Sequence, residues 1–153
     1  MPTNETLIII PCGAQKIWAR RPGLGPVPAK DAYTSAAFGL NRRYAETFGS
    51  SYLILSARQG FLNPDDLIED YNVTFKKAST GPVAVDTLRR QVREMNLDRF
   101  ELVIGIGGAE YRAAIAGAFA DTKVMFPFAG LSLGLTMRAV KRALESGEPM
   151  TTG

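Results

Sequence analysis

Leu7-Ile8-Ile9-Ile10, followed at once by Pro11-Cys12-Gly13-Ala14-Gln15-Lys16, is the stretch on which the fold turns. Side chains alternate across a strand, so four apolar residues in a row suit a strand buried on both faces. The run is too short for a helix of its own, and Pro-Cys-Gly is a turn signal that ends it. Tyr52-Leu53-Ile54-Leu55, Leu102-Val103-Ile104-Gly105-Ile106 and Val124-Met125-Phe126 read the same way.

Amphipathic segments separate these runs. Over Thr34–Phe48, Ala37, Leu40, Tyr44 and Phe48 form an apolar stripe, with Arg42, Arg43 and Glu46 elsewhere. Over Val83–Leu97 the stripe is Val85, Leu88, Val92 and Met95; Ser79 or Thr80 is expected to cap this helix, with Pro82 in its first turn. Ala109–Phe119 is alanine-rich. Ser132–Ser146 turns Leu133, Met137, Val140 and Leu144 inward and ends at Gly147, a suitable C-cap. Strands buried on both faces and alternating with helices predict a three-layer α/β/α domain with a mainly parallel sheet of about four strands. Residues 1–153 read as a single domain. Gly23–Lys30 is expected to be a mobile loop and Pro149–Gly153 a frayed tail.

Composition narrows the chemistry. The 153 residues include one cysteine, Cys12, and no histidine. No internal disulfide can form, and zinc and iron–sulfur sites lack their usual ligands, so neither metal nor cofactor is expected. Imidazole-based machinery of the Ser-His-Asp or Cys-His kind is excluded outright. The net charge of +3 is only mildly basic, less than duplex-wrapping proteins usually carry. Met1–Thr6 is polar, and Leu7–Ile10 is far too short for a signal peptide or a membrane span. A cytoplasmic protein without membrane contact is the expectation; the oligomeric state is not readable.

In open parallel sheets, ligands bind beyond the carboxyl ends of the strands, and the unusual residues collect there. The first strand is followed by Cys12, Gly13 and Lys16. Cys12 can be a buried thiol in an exit turn, part of an anion-holding loop with Lys16, or a thiolate nucleophile. The second is followed by Ser56, Arg58 and Gly60, then by the acidic run Asp65, Asp66, Glu69 and Asp70, with Tyr71 and Asn72 beyond. One or two of these acids are candidates to pair with Arg58. The third is followed by Gly107, Gly108 and Tyr111, the fourth by Pro127–Gly134. Gly105-Ile106-Gly107-Gly108 suits close approach of a phosphate or a flat base, although Glu110 stands where a dinucleotide-binding loop has its last glycine. Tyr33 and Ser35 sit near the start of the first long helix. Tyr33, Tyr71 and Tyr111 either stack on a base or are partly buried with their hydroxyls tied to the rim. Of the basic residues, Lys16, Arg20, Arg21 and Lys30 lie nearest these loops.

The ordered motifs Pro11-Cys12-Gly13-x-x-Lys16, Ala32-Tyr33-Thr34-Ser35-x-x-Phe38, Leu55-Ser56-Ala57-Arg58-x-Gly60-Phe61-Leu62-x-Pro64, Ile68-x-x-Tyr71-Asn72, Gly107-Gly108-x-x-Tyr111 and Pro127-x-x-Gly130-Leu131-x-x-Gly134 span nearly the whole chain. They resemble a family of small uncharacterised domains found in bacteria and their phages. The first loop is similar to the P-C-S-x-x-K-P-Y motif of the archaeosine synthase core domain, with Gly13 in place of Ser and Ile17-Trp18 in place of Pro-Tyr. The Leu-Ser-Ala-Arg-x-Gly loop looks like that of the peroxide-stress (YaaA-type) DNA-binding proteins. Both resemblances imply a layout near the uracil-DNA-glycosylase type of α/β domain, without the catalytic histidine of the glycosylases.

Three functions follow as expectations. The first is an enzyme acting on a nucleobase or its N-glycosidic bond, of the nucleic-acid modification or repair type. Asp70 would be general base or oxocarbenium stabiliser, Asn72 would position a water, and Lys16 and Arg58 would hold phosphate or the leaving base. Cys12, Gly13, Tyr33, Ser35, Ser56, Gly60, Tyr71, Gly107, Gly108 and Tyr111 would line the site. The second is a non-catalytic nucleic-acid or nucleotide-binding module. The third is a partner-binding accessory domain.

Overall fold

The computed structural model describes residues 5–150. The sheet is built around β1 (Thr6–Pro11), which pairs in parallel with β3 (Ser51–Ser56) on one side and β6 (Leu102–Gly105) on the other. β7 (Lys123–Met125) extends it in parallel beyond β6, and β4 (Gly60–Leu62) closes the other edge antiparallel to β3. The order is β4-β3-β1-β6-β7. A two-residue strand, β2 (Val27–Pro28), pairs antiparallel with β5 (Leu67–Ile68) as a separate ribbon. The helices are α1 (Ala29–Ala32), α2 (Ala36–Phe48), α3 (Val85–Glu94), α4 (Ala109–Ala118) and α5 (Leu133–Ser146).

Burial explains why the opening apolar run decides the architecture. Leu7, Ile8, Ile9 and Ile10 are at most 1% exposed. Ile8 and Ile10 join one cluster, with Phe38 and Tyr44 of α2 and Val140 of α5. Leu7 and Ile9 join the other, with Leu88 and Val92 of α3 and Ile115 of α4. The period-2 alternation of one strand thus divides a continuous apolar run between two helical layers. The expected three-layer, mainly parallel α/β/α domain is what the chain forms.

Several details differ from the sequence expectation. The sheet has five strands, because β4 lies inside a stretch that reads as loop; three residues are too few to show a period. Gly23–Lys30 is anchored rather than free. Val27 and Ala29 are buried, Val27–Pro28 is a strand, and Trp18 Nε1 donates to the Gly25 carbonyl at 2.7 Å. Ser79 and Thr80 do not cap α3: Ala84 holds that position without a side-chain bond. Thr80 Oγ1 instead closes its own loop on the carbonyls of Thr74 and Lys77. In α5, Ser132 caps the start and Gly147 the end, but Leu133 faces outward. The tail is held as far as Met150, whose N–H donates to Tyr44 Oη at 3.0 Å. Residues 151–153, and the leader expectation for residues 1–4, lie outside the described residues.

Candidate functional site

The rim forms where β1, β3 and β6 end side by side. Cys12 N–H donates to the Leu55 carbonyl at 3.1 Å and Ile106 N–H to the Ile9 carbonyl at 2.9 Å, so the ladders run on into the loops. Lys16 forms an isolated antiparallel bridge with Tyr33, and Thr34 N–H donates to the Gln15 carbonyl at 3.0 Å. This fixes the segment before α2 against the loop after β1. Ser35 caps α2 by accepting from Phe38 N–H, and its hydroxyl lies against Gly13, where a Cβ would come within 3.3 Å of it.

Ser56, the last residue of β3, is completely buried and is the hub. Its hydroxyl accepts from the N–H groups of Arg58 and Gln59, both at 3.2 Å, and has one proton to give between Gln59 Oε1 at 2.6 Å and Tyr71 Oη at 3.2 Å. Tyr71 Oη lies 2.6 Å from Tyr33 Oη. Lys16 Nζ stands 4.4 Å from the centre of the Tyr71 ring, a cation–π contact. On the β6 side, Tyr111 Oη lies 3.1 Å from Cys12 Sγ, and the Tyr111 ring meets Phe75 edge-on.

Gly107 makes the Tyr111 approach possible. Its φ is 143°, outside the range of ordinary L residues, and a Cβ there would stand 2.7 Å from Tyr111 Cβ. The Gly107 carbonyl accepts from Arg112 at 3.0 Å, and Gly108 occupies the N-cap of α4. Gly60 also needs its conformation, with φ at 80°: a Cβ there would collide with the Gln91 side chain, which clamps the β3–β4 turn through the Gln59 carbonyl and Phe61 N–H. A tight turn therefore accounts for Gly60.

Burial sets the electrostatics. It pushes the phenols of Tyr33, Tyr71 and Tyr111 well above their ordinary range, and the charge an ionised Cys12 would carry adds to the effect on each. The tyrosines therefore stay neutral and able to donate. The arrangement is a chain of neutral hydroxyls flanked by one cation and one thiol, suited to hydrogen-bonding a carbonyl, an amide or an anion.

Cys12, Lys16, Tyr33, Ser56, Tyr71 and Tyr111 are thus drawn together. Asp70 is exposed beside them, with Oδ1 accepting from Tyr71 N–H at 2.9 Å; Asn72 and Arg58 are also exposed. None of the four acids expected to pair with Arg58 forms an ion pair with it: Asp65 is with Lys30 at 2.8 Å, Asp66 accepts from Asn63 N–H, Asp70 accepts from Tyr71 N–H, and Glu69 is exposed. Lys30 is accordingly committed to a salt bridge. The loop after β7 does not join the network; Phe128 is buried edge-on against Tyr44 instead. Tyr33 and Tyr71 are only 5% and 7% exposed. Their rings are filled in among the core and their hydroxyls are tied to the rim, so of the two arrangements expected for these tyrosines the buried one holds. Sequence reading also passed over Gln59 and Gln91. Their signal was position, polar residues beside or facing a glycine in a buried turn. Among the described residues no three Asp, Glu, Cys or His side chains gather as a metal site, and no helix is long and apolar enough to cross a membrane.

Fold and rim together define a class: three-layer α/β proteins whose strand ends carry an interlocked tyrosine–serine network beside a cysteine and a lysine. The chain belongs to a family of unknown function, DUF6884, which matches residues 7–142. It is similar to the uncharacterised protein YfjM of Bacillus subtilis (strain 168), 39% identical over 144 residues that cover 92% of this chain and 96% of that protein. No solved structure matches it.

Proposed function

We propose that the protein acts on a nucleobase or its N-glycosidic bond, in the setting of nucleic-acid modification or repair. The observation that carries the reading is the convergence on Tyr71. Lys16 covers its ring, the Ser56 and Tyr33 hydroxyls meet its phenol, and the Asp70 carboxylate is held by its N–H. The motif resemblances to the archaeosine synthase core domain and the peroxide-stress DNA-binding proteins support a nucleic-acid substrate. In this reading the N-glycosidic bond breaks with its electron pair leaving on the base, and a water oxygen bonds to C1′. Asp70 accepts the water proton and Asn72 orients the water. Lys16 stabilises the departing base anion, which then takes a proton from solvent. Arg58 holds a phosphate. Half-buried Tyr111 is the ring left to contact a base.

The test is base release from oligonucleotides and nucleosides carrying each standard or deaminated base, followed by chromatography. Asp70→Asn is expected to cut release by about 100-fold or more while leaving binding intact. An unaltered rate removes Asp70 from the mechanism, and no release from any substrate removes the enzyme reading. Binding of an oligonucleotide with a steep salt dependence and no turnover would instead mark a non-catalytic nucleic-acid or nucleotide-binding module.

A further inference from the structure

Away from the rim, α5 and the segment leading into it leave a groove of about 480 Å³, bounded on its far side by Glu148, Pro149 and Met150 as the chain folds back. Leu135, Arg138 and Arg142 lie along it at intervals of three and four residues, on one stripe of α5, and Leu131 extends the lining from the segment just before the helix. Leu131, Leu133 and Leu135 are 37%, 69% and 49% exposed. Three large apolar side chains within five residues, bare beside a groove, mark an interaction surface rather than the scattered exposure of any folded protein.

Charge selects the occupant. Arg138 and Arg142 line the groove, Lys141 stands beside them, and among the described residues none of the three takes part in an ion pair. Glu148 is the one carboxylate on the lining. A second copy of the chain would set these cations against their own kind, which is costly in an interface. A nucleic acid would be drawn to the arginines but would leave the leucines in water. We propose that this groove docks an acidic amphipathic helix of a partner protein. Its apolar stripe would cover Leu131 and Leu135, and its flanking carboxylates would meet Arg138 and Arg142. This is helix-in-groove recognition, with electrostatic complementarity fixing the register, and it is independent of any activity at the rim.

The experiment selects a displayed library of random peptides of about 15 residues, long enough for four helical turns, on the full-length protein. Enriched peptides are then synthesised and titrated by fluorescence anisotropy. Expected are sequences with apolar residues three and four apart flanked by Asp or Glu, weakened about tenfold or more by Leu135→Ser and by Arg142→Glu. Both positions are exposed, and unchanged thermal melts confirm that the variants fold. Enrichment of peptides without acidic residues, or binding indifferent to both substitutions, overturns the proposal. So does a single-stranded oligonucleotide whose binding is lost with Arg138→Glu and Arg142→Glu but kept by Leu135→Ser. A dimer in light scattering that Leu135→Ser dissolves would overturn it equally, assigning the groove to a second copy.

Discussion

At the carboxyl ends of the strands, polar side chains from three loops satisfy one another; along the outer face of α5, leucines and arginines stand side by side with nothing to satisfy them. Both regions caught polar and aromatic or basic and apolar residues outside regular strands. The difference is in how the backbone delivers them. At the rim, Ser56 ends β3, the bridge to Lys16 sets Tyr33 over the loop after β1, and Tyr71 follows the β2–β5 ribbon, so three hydroxyls arrive within hydrogen-bond reach and fill the space above the strand ends. On the exposed face of α5 only the returning segment Glu148–Met150 comes near, and it leaves a groove rather than a packed contact. A polar rim is therefore not by itself a cavity. It becomes a site for a ligand only through the groups left at its edge, Lys16, Cys12, Asp70 and Arg58.

The comparison is tested most severely at the floor beneath the rim. Ile9, fully buried between α3 and α4 on the central strand, has no alternative neighbour to fill the gap its side chain would leave. Ile9→Ala is expected to lose about 2–5 kcal/mol in urea denaturation. A loss below about 1 kcal/mol would mean that β1 is not the centre of the core.

Next comes the rim's backbone. Gly107→Ala forces an L residue to φ 143° and sets its Cβ against Tyr111 Cβ. A cost of about 1–3 kcal/mol is expected from strain of this kind, with an altered environment at Tyr111 seen by near-ultraviolet circular dichroism. Unchanged stability would show that the β6–α4 loop has another conformation available.

How far all this is legible in the sequence depends on the range of the forces concerned. The run Leu7–Ile10 announces a doubly buried strand because burial on two faces is written in consecutive residues. The Gly147 cap is local backbone chemistry and is legible for the same reason. The strand Gly60–Leu62 is not, since only its pairing with Ile54–Ser56 makes it one. Nor is the burial of Tyr33 and Tyr71: an amphipathic ring looks the same in sequence whether its face meets ligand or core. Leu133 reads as inward-facing from helical spacing, and it is outside because no element packs over that turn of α5. The convergence of Cys12, Lys16 and Ser56 was readable from the strand-end rule. The hydroxyl chain that plugs them together required the register.

That hydroxyl chain makes a third prediction, visible as a dependence on pH. Tyr33, Tyr71 and Tyr111 have phenols raised above the ordinary value of 10.0 by burial, and half-buried Tyr52, which donates to Glu46, is pushed up to about 12. Above pH 10 the unfolded chain releases these protons while the folded one keeps them. The unfolded state then binds fewer protons, so stability falls as pH rises. Stability is expected to be level below about pH 10 as far as these groups decide it, and to drop steeply beyond. Tyr71→Phe removes one such group and should flatten the alkaline slope. At neutral pH it should cost about 1–3 kcal/mol, because Tyr33 Oη loses its 2.6 Å partner. An alkaline slope unchanged by Tyr71→Phe would place that phenol in water, and the closed rim would have to be given up.

The smallest effect belongs to the other side of the comparison. Leu135 is 49% exposed, and nothing in the fold depends on its covering a neighbour. Leu135→Ser is expected to shift stability by no more than about 0.5 kcal/mol, the range of surface substitutions that touch no cap, core or network. Serine is a slightly poorer helix former than leucine, which accounts for a few tenths on its own. Removing bare apolar surface should meanwhile reduce the tendency to stick at high concentration. A near-zero change in denaturation together with better solubility would show that this leucine is bare surface on which the fold does not depend. A loss comparable to that of Tyr71→Phe would show the opposite: α5 and the returning segment at Met150 would be closed on each other, and the two regions would differ in composition only.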